Sequence, residues 1–349
     1  MSIIEHLLQL SIHSYYAGET EVGLRSCEKA LRMEISQDIE TTIRANRTWY
    51  TPPLEKLIHC EYKPIPVSPA LPHWSTFNPS ILSTEDGWTV NVRSSNYKIQ
   101  NGYYIYHPKE ETIIKTINIL AELDNNFSVR SYQALQADYP KTNYPVDGLE
   151  DVRLNKVGDD IITSASVRNY QPLDGTCRIA KSKLADGKFQ DIFPIMVPVN
   201  EHQKNWMPLL GKPIWLYHPN YNGFVSTVSL NGIIKSHAPS PVLAKGFRGG
   251  SQLIPIGNGL WLTIIHEVAI LNSLRVYEHR FVLFDEGNNF KISAVTPPFY
   301  LLQKQGIEFV AGLARKEDRL VATFGVRDEE AWIMETSLSK VISIMVSPV

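Results

Sequence analysis

Phe247-Arg-Gly-Gly-Ser-Gln-Leu-Ile-Pro-Ile-Gly-Asn-Gly-Leu-Trp-Leu-Thr-Ile-Ile-His266-Glu267 decides how the rest of the chain is read. It is a glycine-rich approach, a turn at Gly257-Asn258-Gly259, and then an apolar, β-branched run from Trp261 to Ile265. Such a run predicts a well-buried strand. The strand stops on a histidine and a glutamate, which puts two titratable groups where a sheet would meet a cleft. On this pair alone two readings stand side by side: a site, and a capped strand with a satisfied polar end.

Working outward, the same texture recurs. Short apolar runs broken by Gly, Asp, Asn and Pro include Trp88–Val92, Tyr103–Tyr106, Ile161–Val167, Pro213–Tyr217, Gly223–Val228, His279–Phe284, Phe309–Leu313, Leu320–Phe324 and Ala331–Met334. With Trp261–Ile265 these are ten strand candidates, and only a patch near 112–123 reads as a helix between them. Many short strands with turn signals predict a sandwich, barrel or propeller. Their number over roughly 280 residues suits an all-β propeller of about five four-stranded blades. No exact repeat is visible, which argues against WD-type propellers.

Upstream, residues 3 to 46 carry helical spacing at Ile3, Ile4, Leu7 and Leu8 and again at Leu24, Cys27, Ala30 and Leu31. Gly18 marks the break between them, and Thr51-Pro-Pro53 ends the helical region, because prolines cannot continue a helix. Tyr15-Tyr-Ala-Gly18 with Cys27-Glu-Lys-Ala30-Leu31 is similar to a single tetratricopeptide helix pair. One pair cannot stand as a solenoid, which needs about three. Residues 1–60 are therefore expected to form a helical cap on a propeller spanning 61–349, with a protein partner for the cap as the lesser reading. Prolines 64, 66, 69 and 72 mark an extended linker or edge segment.

Composition narrows the partners. The chain has 349 residues and a net charge of −2, so no global basic field favours nucleic acid. No apolar run approaches the roughly 18 residues of a membrane span. The first residues lack a basic-then-apolar leader pattern, and Cys27, Cys60 and Cys177 fit neither a disulfide framework nor a zinc site. A cytoplasmic protein with reduced thiols is the expectation. No cofactor or metal is expected: His266-Glu267 lacks a second histidine, and Gly249-Gly250 reads as a bulge or turn rather than a phosphate loop.

Five polar clusters fall at strand edges. The first is Asn78 with Asn91, Arg93 and Asn96. Asn91 and Arg93 alternate with valines and should share one strand face, suited to oxyanions or hydroxyls. The second is Glu150-Asp151-Val-Arg153. In an extended strand its two carboxylates point to opposite sides, so only one should face a site, and Asp151 and Arg153 should share a face. The third is Lys204-Asn205-Trp206, a cation and amide beside an indole wall. The fourth holds Arg248, Gln252, His266 and Glu267, and the fifth combines His279 with Asp328. Each alone is equally a solvated strand end or structural ion pair. Blades converge on a central channel, so such clusters can meet there.

The order Phe77-Asn-Pro79, Asn91-x-Arg93, Gly148-x-Glu-Asp-x-Arg153, Lys204-Asn-Trp-Met-Pro208, Gly249-Gly-x-Gln252 through His266, and Gly325-x-x-Asp328 resembles the five-bladed propellers of glycoside hydrolase family 130. That family comprises β-mannoside phosphorylases and hydrolases with related mannosyltransferases. The resemblance covers roughly residues 75–335. It implies that the Glu-Asp motif lines a sugar site, with Val152 in place of the family's proline. It implies that Arg153, Lys204 and His266 bind phosphate or the sugar. Two departures matter. Asn96 stands near the family's general-acid aspartate and cannot transfer that proton, and Glu267 stands where the family has glycine.

Hydrolysis usually needs two carboxylates, about 6.5–9.5 Å apart for inversion. Asp151 and Glu267 are the expected pair, with His266 beside them. A phosphate-bearing donor needs less acid help, because cations stabilise its developing charge. Loss of the acid with retention of Arg93, Arg153, Lys204 and Arg248 favours glycosyl transfer or phosphorolysis on a sugar, sugar-phosphate or nucleotide-sugar substrate. Plain hydrolysis and a non-catalytic glycan-binding propeller are the alternatives.

Overall fold

The computed structural model describes residues 2–100, 102–141, 144–170, 175–302 and 306–348. Five antiparallel sheets in propeller arrangement make up most of it. Blade 1 runs Ser75–Ser83, Gly87–Ser95, Ile114–Asp124, Val129–Ala134; blade 2 runs Glu150–Val157, Asp160–Val167, Arg178–Ala185, Lys188–Pro194. Blade 3 runs Met207–Pro208, Ile214–Tyr221, Phe224–Ser229, Ile234–Pro239; blade 4 runs Ile254–Gly257, Leu260–Leu271, Leu274–Asp285, Lys291–Val295. In blade 5, Glu308–Lys316, Arg319–Val326 and Glu330–Ser337 are completed by Glu61–Pro64 from the other end of the chain. That pairing closes the ring and covers a sheet edge, and its proline sits on the outermost strand, where a missing donor costs least. The first strand of each blade is innermost, and these strands pack on one another around the axis.

All ten predicted strands are strands. The patch near 112–123 is one too: Ile114–Asp124 pairs with Gly87–Ser95 on one side and Val129–Ala134 on the other. Its isoleucines and threonine are β-branched, and both neighbours supply the ladder that an isolated sequence window cannot show.

Three helices precede the blades: α1 (Ile3–Ala17), α2 (Thr20–Leu31) and α3 (Gln37–Tyr50). Ser2 and Glu5 form a capping box at the start of α1, and Gly18, at φ 74°, ends it in the left-handed region. Cys27, Ala30, Leu31 and Ile43 join a core with Met207, Leu216, Trp261, Ile265 and Phe284 of blades 3 and 4 and with Phe247 of the connection between them. Each fully buried Leu or Ile there contributes about 1.5–3 kcal/mol. The inner face of the cap is thus consumed by the propeller itself. Among the described residues, no helix is long and apolar enough to cross a membrane.

Candidate functional site

Four polar residues near the axis share an unusual backbone. Asn78, Asp151, Asn205 and Asp328 have φ of 48°, 50°, 59° and 56°. Asn and Asp tolerate the left-handed region better than other side chains, and such residues gather at functional sites. At Asn78 and Asp151 the positive φ coincides with bulges that interrupt the register at Phe77/Ser80 and at Glu150/Arg153. The second bulge corrects the expectation drawn from strict alternation. Both carboxylates of Glu150-Asp151 turn to the same partner: Arg93 Nη2 lies 2.6 Å from Glu150 Oε1 and Arg93 Nη1 lies 3.0 Å from Asp151 Oδ1. Asn78 Nδ2 donates to Asp151 Oδ1 at 2.9 Å.

Arg93 is buried and its guanidinium lies over Phe77, 5.0 Å from the ring centroid, with Tyr97 beside it. The Tyr97 hydroxyl donates to Asp328 Oδ2 at 2.9 Å. Burial pushes the Asp328 carboxyl up to about 6, with Asp151 and Glu150 repelling its charge and Arg93 only partly relieving it. Asp151 is driven the other way: burial disfavours its charge, but Arg93, the Asn78 amide and Arg153 outweigh that and hold it below its ordinary value. Two nearby carboxyls with opposed shifts are the arrangement that separates an acid from an ionised partner.

Arg153 is fixed from two sides. Its Nε donates to Gly250 O at 2.7 Å, its Nη1 donates to Asp151 O at 3.0 Å, and its guanidinium lies over Phe309. Burial lowers it to about 10, with Asp151 opposing. Phe309 also meets the edge of the His266 ring, which stacks on Tyr277 at 5.1 Å. Burial, His279 and the cations Arg248 and Arg153 push His266 well below its ordinary value, so the imidazole is neutral at pH 7. Its Nδ1 is buried without a partner. Next to this wall, Lys204, Asn205 and Arg248 line a cleft of about 260 Å³ with His202 and His218. Lys204 and Arg248 are exposed to solvent there.

Asn78, Arg93, Glu150, Asp151, Arg153, Lys204, Asn205, Arg248, His266 and Asp328 thus come together around the axis. The other candidates do not. Asn91 is fully buried and donates to Asn118. Asn96 donates to Ile113 O at 2.9 Å and accepts from Lys115 N at 2.7 Å, so its amide is spent on a backbone connection. Gln252 braces Ile81 and Leu313, and Trp206 is a core side chain bonded to Gln203. His279 is fully buried beside Phe299, and burial lowers it to about 4.

Glu267 requires the largest correction. Successive residues of a strand point to opposite faces. His266 and Tyr277 lie on the face that meets Phe309 of blade 5; Glu267, Glu278 and Arg280 face the cap. Glu267 Oε1 receives Arg280 Nε at 2.9 Å, and Oε2 receives Arg44 Nη1 at 3.2 Å and also Arg47. Arg47 further binds Glu278, while Glu28 receives both Arg47 and Arg280. Burial opposes the Glu267 charge, but these three arginines hold its carboxyl far below the usual range. Glu267 fastens α3 to blade 4 and is not a partner of Asp151.

Tyr97, Tyr277 and Phe309, which lie against Arg93, His266 and Arg153, are not distinguished in the sequence. Tyr97 follows Asn96 and Tyr277 lies two residues before His279, but nothing in a single sequence separates a site tyrosine from a core one.

A five-bladed propeller with a charged axial site is thus the class to which the chain belongs. No protein-family model matches the sequence, and no curated protein matches it either. Solved structures do match. One comes from the glycoside hydrolase family 130 of mannoside phosphorylases, a family that contains glycoside hydrolases targeting β-1,2 mannosidic linkages in Candida mannan; it has a TM-score of 0.57 at 13% identity, with 83% of this chain and 97% of that chain covered. A mannose phosphorylase from Leishmania mexicana, bound to phosphate, has a TM-score of 0.52 at 14% identity, with 84% and 94% covered. A β-1,2-mannobiose phosphorylase from Listeria innocua has a TM-score of 0.50 at 17% identity, with 81% and 96% covered. In fold, the chain is similar to the propellers of glycoside hydrolase family 130.

Proposed function

We propose that the protein is a carbohydrate-active enzyme that moves a glycosyl group to or from phosphate, as a glycoside phosphorylase or as a transferase using a phosphate-bearing sugar donor. The observation that carries this reading is the juxtaposition of an anion-binding wall, formed by Arg153, Lys204, Arg248 and neutral His266, with the carboxyl set Glu150, Asp151 and Asp328. Cations hold phosphate oxygens, Arg through its planar fork. Carboxylates and the Asn78 amide hold sugar hydroxyls. The structural neighbours that act on mannosides, one of them bound to phosphate, support the same chemistry.

In the phosphorolytic direction a phosphate oxygen forms a bond to the anomeric carbon while the glycosidic C–O bond breaks. Asp328, protonated below about pH 6, gives its proton to the departing oxygen, and the attacking hydrogen phosphate returns a proton to it. The products are a sugar 1-phosphate and an alcohol, and the reverse sequence is glycosyl transfer. Asp151 remains ionised and orients the sugar. Hydrolysis by Asp151 with Glu267 is not supported, because Glu267 faces the cap. The acid-position Asn96 favours a second reading, a glycan-binding propeller without turnover.

Incubation with a panel of hexose 1-phosphates and sugar acceptors, followed by phosphate release, tests the proposal. Release that is lost in Lys204→Met and Asp328→Asn is expected. Glycan binding without release from any donor would establish the second reading instead.

A further inference from the structure

A single tyrosine holds the carboxyl assigned above as proton donor. Tyr97 opens the short strand Tyr97–Gln100, which follows the second strand of blade 1. Its ring meets Phe77 edge to face at 5.7 Å and lies under the Arg93 guanidinium. The residue is 4% exposed, and its hydroxyl donates to Asp328 Oδ2 at 2.9 Å. Among the described residues this hydroxyl has no other acceptor, and Asp328 Oδ1 has no protein donor. Asp328 is half-buried, and its Oδ1 is not enclosed.

A buried hydroxyl needs an acceptor for its proton. With Asp328 as that acceptor, Tyr97 donates to Oδ2 whether the carboxyl is charged or neutral. The proton of the neutral carboxyl therefore sits on Oδ1, the oxygen that no protein group takes. The other groups facing Asp328 are Arg93 from blade 1, Glu150 and Asp151 from blade 2, Tyr277 from blade 4, and Tyr104 from the strand paired with Tyr97–Gln100. Among the described residues none of these donates a hydrogen bond to Asp328: Arg93 is taken by Glu150 and Asp151, and Tyr277 by Arg275.

We propose that Tyr97 is a positioning residue for proton transfer: it fixes the acidic proton on Asp328 Oδ1 and holds the charge that appears on the carboxyl when that proton leaves. The inference deepens the glycosyl-transfer reading and rests on it. As the glycosidic C–O bond breaks, the Oδ1–H bond breaks with it and the proton passes to the departing oxygen. The electron pair left behind spreads over both carboxylate oxygens. The Tyr97 hydrogen bond thereby gains a charged acceptor and strengthens. It acts more in the transition state than before it, so it raises turnover rather than affinity.

Tyr97→Phe keeps the ring against Phe77 and Arg93 and removes only the donor. Phosphate release by the full chain is followed against pH, with the hexose 1-phosphate and acceptor that the parent turns over and with Asp328→Asn alongside. In Tyr97→Phe, kcat should fall about 10- to 100-fold with KM unchanged, the scale of one hydrogen bond to a charged group. A donor to the charged form favours that form, so the limb of the pH–rate profile near about pH 6 should move to higher pH. The NMR resonance of the isotope-labelled Asp328 carboxyl, assigned by its absence in Asp328→Asn, should titrate at higher pH as well. Affinity for inorganic phosphate, which depends on Lys204, should stay at the parent value in calorimetry and report an intact site. An unchanged kcat and limb overturn the proposal and leave the glycosyl-transfer reading standing. A shifted carboxyl resonance without a shifted limb overturns it too, because the pair is then structural only. If the parent releases phosphate from no donor, the glycosyl-transfer reading falls and this inference falls with it.

Discussion

Replacing Glu267 by glutamine separates its two assigned roles. If it were a catalytic carboxylate, the substitution would abolish turnover and leave the fold intact. The structure predicts the reverse emphasis. Glu267 is 1% exposed, and its two oxygens serve Arg44, Arg47 and Arg280. Removing one partner of a buried ion pair costs about 3–5 kcal/mol, because the remaining charge stays buried. Glutamine keeps the shape and one acceptor oxygen, and Glu278 and Glu28 still face the arginines, so the lower end, about 3 kcal/mol, is expected. Urea unfolding followed by tryptophan fluorescence reads this as a lower midpoint. In Glu267→Gln with Arg47→Met the combined loss should be smaller than the sum of the single losses, since the second change removes a charge that the first left unpaired. The pH dependence has a definite sign. The folded carboxyl is depressed, so its contribution is present above the ordinary glutamate value and is lost as pH falls below it. The parent should therefore lose its advantage over Glu267→Gln in acid. An unchanged unfolding midpoint together with lost turnover would refute the reasoning and return Glu267 to the active site.

Other perturbations test the axial site. Asp328 has a raised folded value near 6, so turnover should fall as pH rises through about 6, and Asp328→Asn should lower turnover and remove that limb of the pH–rate profile. Because the raised carboxyl binds its proton more tightly when folded, stability is lost as pH rises through about 6, and the neutral Asn should recover on the order of 1–3 kcal/mol above that pH. Asn96→Asp should not create a general acid. It removes the donor to Ile113 O and should cost about 1–3 kcal/mol in urea unfolding. Gly325→Ala places a methyl against the Asn78 side chain and backbone, so it should displace the amide from Asp151 and reduce sugar affinity more than phosphate affinity, as read by calorimetry.

Much of the architecture was legible locally. β-Branched runs, turn residues and helix breaks mark strands and helices because each depends on a few neighbouring residues, and the count of strands pointed to five blades. The polar clusters were legible as well, since a charged strand end interrupts an apolar run. Which of them meet was not legible. Period-two alternation, applied to His266-Glu267, would have sent the two residues to opposite faces; it says nothing of which face meets the axis and which meets α3. Applied to Glu150-Asp151, the same rule misleads, because a left-handed residue at Asp151 breaks the alternation. Asn96, Gln252 and Trp206 have the composition of a sugar site, yet Asn96 and Gln252 are consumed by backbone partners 17 and 171 residues away, and Trp206 is buried in the core with its indole N–H on Gln203.

The sequence by itself determined a β-rich propeller with a helical lead and dispersed polar strand ends. Only the tertiary structure decided that Asp328 and Asp151 share a site with Arg93, while Glu267 binds the cap to blade 4. The physical reason is that propensity and alternation act over a few residues. Ion pairing, burial and the resulting pKa values depend on which distant side chains the closed ring brings within a few ångströms.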